Sequence, residues 1–164
     1  MSFKKLFFVI LGVNLSLLSF ADASSISKKQ SSISNVVLTD AWVRATADGQ
    51  QVGAAYANLT STNSSTLILA EADVAGSVEI HSMTMDNGVM KMRRLKTLNL
   101  PKGKMVSLAP GGFHFMLFGL KKPLKEGEHT TFKLIFKAKN GKKFTQNIVM
   151  PILAQAPTQH EKKH

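Results

Sequence analysis

The sequence predicts an all-β domain, a sandwich or barrel. Three observations carry this. From Val36 onward the chain breaks into nine short apolar or alternating runs separated by turn residues. Two Asn-Gly pairs, Asn87-Gly88 and Asn140-Gly141, each sit between two such runs, as in tight hairpins. No stretch carries a helical period.

The ends read differently. Lys4 and Lys5 precede an apolar run over 6–20, and Ala21-Asp22-Ala23 follows as a small-x-small cleavage site. This predicts a signal peptide over 1–23, cleaved after Ala23, and a protein exported to the periplasm. The apolar run is shorter than the ~20 residues a membrane span needs, so no stable span is expected after cleavage. An uncleaved anchor is the alternative. Residues 24–35, "SSISKKQSSISN", form a flexible Ser-rich leader. The β-domain covers 36–153, and a polar tail follows over 154–164.

The first two runs are "VVLTDAWVRA" and "GAAYANLT", and "TLILAEADV" follows a polar loop. "SVEIHSMTM" and "VMKMRRL" flank the first Asn-Gly pair. "MVSLA" leads into Pro110-Gly111-Gly112 and then "FHFMLFGL". "HTTFKLIFKAK" and "KKFTQNIVMPI" flank the second pair. Phe132, Leu134 and Phe136 alternate onto one face and predict core, as do Phe113, Phe115 and Leu117. Trp42 and Tyr56 are also assigned to the core, with packing of Trp42 against a metal site as the alternative.

Composition excludes several functions. Cysteine is absent, which removes disulfides, thiolate catalysis and thiolate metal sites. It also removes a blue-copper electron-transfer centre, which needs a Cys beside its histidines. The net charge is +11, or +10 once residues 1–23 take two Lys and one Asp with them. The basic residues are spread along strands and turns without a dense aromatic-lined block, so nucleic acid is not the expected partner. A solvated basic surface is the simpler reading, with docking on an acidic partner as the alternative. No Ser/His/Asp triad or paired-carboxylate pattern stands out, so no enzyme is expected.

Residues 79–92, "EIHSMTMDNGVMKM", hold four of the eight methionines. A two-residue turn at Asn87-Gly88 pairs Met85 with Met90 and Met83 with Met92. With a period of two, His81, Met83, Met85, Met90 and Met92 then share one face. A second His-x-Met pair, His114 and Met116, shares one face of a later strand. Thioethers are soft, neutral ligands that suit Cu(I), and imidazole binds either copper oxidation state. Taken singly, these methionines would read as core filler. Two His-x-Met pairs and Met92, in a chain with five histidines, point to copper.

The spacing resembles the periplasmic copper chaperones of the PCuAC type, which carry His, ten residues, Met, twenty-one residues, then His-x-Met. Here ten residues separate His81 from Met92, and twenty-one separate Met92 from His114. The resemblance covers roughly 36–151. It implies a cupredoxin-like Greek-key barrel and Cu(I) ligands at His81, Met92, His114 and Met116. Met83, Met85 and Met90 are accessory donors. It also implies delivery of copper to the dinuclear copper site of cytochrome c oxidase, or to another copper chaperone. Some relatives bind Cu(II) at a His- and Met-rich extension. The tail here has His160 and His164 but no Met, so a solvated tail is the simpler reading and weak Cu(II) binding the alternative. His129 reads as surface. The competing functions are a copper buffer without a dedicated client and a structural β-domain with a Met-rich core.

Overall fold

The computed structural model describes residues 35–157. The signal peptide, most of the leader, and His160 and His164 lie outside them. The domain is all-β, with ten strands: β1 (Val36–Arg44), β2 (Val52–Ser61), β3 (Ser65–Ala72), β4 (Ser77–Asp86), β5 (Val89–Leu95), β6 (Leu98–Leu100), β7 (Met105–Leu108), β8 (His114–Phe118), β9 (His129–Ala138) and β10 (Lys143–Leu153). Nine were expected. The addition is β6, whose three residues are too few to show a period. Among the described residues no helix is long and apolar enough to cross a membrane.

The strands follow one hydrogen-bonded path, β5-β4-β8-β2-β1-β10-β9-β3-β6, with β7 also pairing β2. The paired strands run antiparallel except at β1 and β10, where Val43 faces Ile152 and Arg44 faces Leu153 in parallel. Strand β10 pairs with β9 along Lys143–Pro151 before reaching β1, so it joins the two halves. Consecutive strands such as β3 and β4 stand far apart on the path, which is the crossover expected of a Greek key.

One core cluster draws on both halves. Val43, Ala55, Leu59, Phe115 and Leu117 come from the β1, β2 and β8 side. Leu67, Phe132, Leu134, Phe136 and Met150 come from the β3, β9 and β10 side. The rings of Phe115 and Phe132 lie 5.8 Å apart, centroid to centroid, and join the two sets. The predicted core faces of β8 and β9 are therefore correct from Phe115 to Leu117 and from Phe132 to Phe136. Phe113 differs. It precedes β8 and is exposed, because the strand begins only at His114.

The hairpin turns show how local chemistry sets register. Asn87 (φ 50°) and Gly88 (φ 78°) both take left-handed backbone, as a two-residue turn matched to strand twist requires. Asp86 then pairs with Val89, Met85 with Met90 and Met83 with Met92, as the sequence predicts. At the second hairpin only Gly141 has positive φ, and Ala138 N–H donates to Lys142 O, so three residues make that loop.

Trp42 and Tyr56 are buried with the core residues, as the sequence predicts, but stand outside the main core cluster. A bulge between Thr39 and Trp42, with Asp40 at φ 50°, shifts the register of β1 against β2. Val43 and Ala55 then face the core, which turns Trp42 and Tyr56 to the other side of the sheet. There the two rings pack 4.7 Å apart, beneath the guanidinium of Arg44.

Phe115 is the test of this architecture, since it is fully buried and joins the halves. Phe115→Ala is expected to lower stability by about 3–5 kcal/mol, read as a shifted urea midpoint. A loss below about 1 kcal/mol would contradict the packing.

Candidate metal centre

Strand β8 carries two jobs in five residues. Phe115 and Leu117 point into the core, so His114 and Met116 must leave the opposite face. Its neighbour β4 places His81 directly opposite His114 and Glu79 opposite Met116. On the far side of β4, β5 places Arg94 opposite His81 and Met92 opposite Met83. Thus His81, His114, Met92 and Met116 lie on one face of three adjacent strands. Met92 is diagonal to His81, a separation of roughly 7–8 Å between backbones that a methionine side chain can span. Met83 stands beside this group. Met85 and Met90 face each other further out, next to the turn.

The imidazoles are 5.9 Å apart, centroid to centroid, and inclined by 50°. Each has one nitrogen committed. His114 Nδ1 lies 3.0 Å from the Gly112 carbonyl oxygen. A carbonyl only accepts, so Nδ1 carries the proton and the lone pair of the neutral ring sits on Nε2. His81 Nε2 lies 2.8 Å from Glu79 Oε2. The carboxylate accepts, so the lone pair of neutral His81 sits on Nδ1. That atom is buried and has no hydrogen-bond partner among the described residues. The other oxygen of Glu79 is 3.2 Å from the Arg94 guanidinium.

The loop before β8 is built for this. Pro110 and Gly111 occupy the centre of a turn closed by Gly112 N–H to Ala109 O at 3.0 Å, and Gly111 has φ 84°. The turn aims the Gly112 carbonyl at β4, where it also accepts from Met83 N–H at 3.1 Å. Beside Met116 a groove of about 350 Å³ runs along Arg44, Gln50, Val52 and Ala54.

The donor set is neutral and soft: two imidazole lone pairs with thioethers around them. Among the described residues no group of three or more His, Cys, Asp or Glu gathers as a metal site. An oxygen-seeking ion such as Mg(II) or Ca(II) therefore finds no cage, whereas a soft monovalent ion finds matching ligands. The orphaned Nδ1 of His81 fits that role, because an unpaired buried nitrogen is costly unless something completes it.

The sequence brought forward every one of these donors but missed Glu79. Its signal was present: Glu79, His81 and Met83 alternate on one face of β4. A carboxylate two residues from a strand histidine can fix that ring, as carboxylates do behind many metal-bound histidines.

Fold and site together define a small β-domain that presents imidazole and thioether donors from adjacent strands. The chain belongs to the LpqE-like family, whose model, described as "Putative lipoprotein LpqE-like", matches residues 36–149. A curated relative, "Putative lipoprotein Lxx21020" of Leifsonia xyli subsp. xyli, is 36% identical over 104 residues, covering 62% of this chain and 61% of the relative. The chain thus spans about three-fifths of that relative's length. Among solved structures, the "Copper-bound PCuAC domain from PmoF2" is similar with a TM-score of 0.57 and 22% identity, over 74% of this chain and 94% of that one, which is a likeness of fold. The "Solution structure of CuI-DR1885 from Deinococcus Radiodurans" has a TM-score of 0.53 and 31% identity, over 72% and 77%. The resemblance to PCuAC domains is met in three dimensions.

The role of Glu79 can be read without metal. In the free protein, long-range nitrogen–proton NMR correlations are expected to show neutral His81 protonated at Nε2. Glu79→Ala is expected to give a mixture of tautomers, and Glu79→Gln, whose amide oxygen still accepts, to retain Nε2–H. An unchanged His81 tautomer in Glu79→Ala would remove Glu79 from this role.

Proposed function

We propose that this protein is an exported Cu(I) carrier, and not an enzyme. The observation that carries the reading is the pair of facing histidines, each with one nitrogen held by a hydrogen bond and the other left with a lone pair. His81, His114, Met92 and Met116 are the ligands in this reading. The similarity to a Cu(I)-loaded protein at 31% identity supports it.

The chemistry suits holding and handing on. Four neutral ligands leave the +1 charge of Cu(I) uncompensated, so the ion is bound without the charge neutralisation that thiolates supply. Thioethers do not titrate, so binding displaces protons only from the histidines. Copper is the cargo, and its destination is a second protein with a stronger site. The destination we propose is the dinuclear copper centre of cytochrome c oxidase, reached in the periplasm. The family description speaks of a lipoprotein. A lipid joined through a cysteine sulfur would need a thiol, and none of the 164 residues is Cys.

Replacing His114 and Met116 together by alanine is expected to weaken Cu(I) binding by more than the ~100-fold that loss of an outer-shell partner can cost. Competition against a Cu(I) chelator measures this, with circular dichroism as the check on fold. Met92→Leu, at an exposed position, is expected to weaken binding without touching the core. Unchanged affinity in both variants would reject the site. X-ray absorption on the Cu(I) form is expected to show mixed nitrogen and sulfur neighbours.

A gene deletion tests the destination. Loss of oxidase activity at low copper, restored by added copper, is expected. Copper sensitivity with normal oxidase activity would instead mark a buffer without a dedicated client.

A further inference from the structure

The β4–β5 hairpin ends in a feature that four ligands leave unused. Met83 faces Met92 and Met85 faces Met90, so two rungs of paired thioethers stand on one face of the ribbon. Ser82, Thr84, Lys91 and Arg93 take the opposite face. Each step of two residues advances roughly 7 Å along a strand. The Met85–Met90 rung therefore lies about 14 Å of backbone beyond the rung of His81, in a separate coordination sphere.

Packing does not explain this rung. Met85 is 66% exposed and Met90 54%. Exposed strand positions favour β-branched and polar residues, and methionine holds no advantage there. An apolar contact patch could be built from Leu, Ile or Phe. What only methionine supplies is sulfur, and here it supplies it at both ends of one rung. Directly opposed strand residues have Cβ atoms about 4.5–5.5 Å apart. The unbranched, three-torsion methionine side chain lets two sulfurs converge on one ion between them. The acid nearest the tip, Asp86, is engaged by Lys91.

We propose that Met85 and Met90 form a second metal site, thioether-only, for a soft monovalent ion: Cu(I) or its analogue Ag(I). Having no imidazole and lying open to solvent, it binds more weakly than the His/Met centre and fills after it. The Met83–Met92 rung stands between the two, so sulfur continues from the hairpin tip to the histidines. An ion landing at the tip has soft ligands along the whole route inward.

The test follows protein labelled with ¹³C at the methionine ε-methyls, titrated with Ag(I) and, under anaerobic reducing conditions, with Cu(I). The methyls of Met92 and Met116 are expected to shift through the first equivalent, and those of Met85 and Met90 through the second. In Met85→Leu/Met90→Leu, stoichiometry is expected to fall from two to one with the first equivalent unaltered. In His114→Ala/Met116→Ala, the Met85 and Met90 methyls are expected still to respond. The tip site is overturned if those methyls stay still through two equivalents, drift without saturating, or respond only when the His/Met centre is intact. A silent Met116 beside responsive tip methyls would instead reject the four-ligand centre and leave the tip site standing.

Discussion

One carbonyl oxygen holds the candidate centre together. Gly112 O accepts from the backbone of Met83 at 3.1 Å and from the ring of His114 at 3.0 Å. The first bond fastens the loop before β8 to the strand that carries His81. The second fixes which nitrogen of His114 is free. Neither is possible unless the chain reverses at Pro110-Gly111, where proline presets one torsion and glycine accepts φ 84°. A side chain at Gly111 would oppose that backbone, so the turn and the placement of His114 share one steric condition.

The same economy appears in β8. Strand alternation sends Phe115 and Leu117 inward and His114 and Met116 outward. The core therefore clamps the very strand that bears half of the donors. With Phe115 packed against Phe132, turning the other face of β8 would disturb the core. Donors on such a strand are held in place before any ion arrives, which is the condition for a defined site on a small domain.

Most of this was legible in the sequence because strand geometry is periodic and Asn-Gly specifies its turn. The register of the Met hairpin followed from Asn87 and Gly88 alone. The alternation of Phe132, Leu134 and Phe136 located the opposite layer. What could not be read was whatever breaks the period. The bulge at Asp40 put Trp42 on the face opposite Val43 and outside the main core cluster, and no alternation rule foresees an inserted residue. Strand β6 was hidden because Leu98–Leu100 is too short to carry a pattern. Phe113 misled because a period counts residues but does not say where the strand starts. For the candidate centre, the imidazole and thioether side chains and their spacing were visible, whereas Glu79 and the Gly112 carbonyl were not. Both act through hydrogen bonds whose partners are fixed only by the folded backbone.

Among the described residues, strand β5 has a neighbour on one side only, since it ends the sheet path at β4. None of its residues is buried, whereas β8 is walled in by β4 and β2. The candidate centre therefore joins a strand held on both sides to one held on a single side. Of β5 only Leu95 packs against the core, so Met92 sits on its exposed part whereas His114 is buried. Mechanically, the arrangement resembles a clasp with one half set in the body of the sheet and the other at its margin.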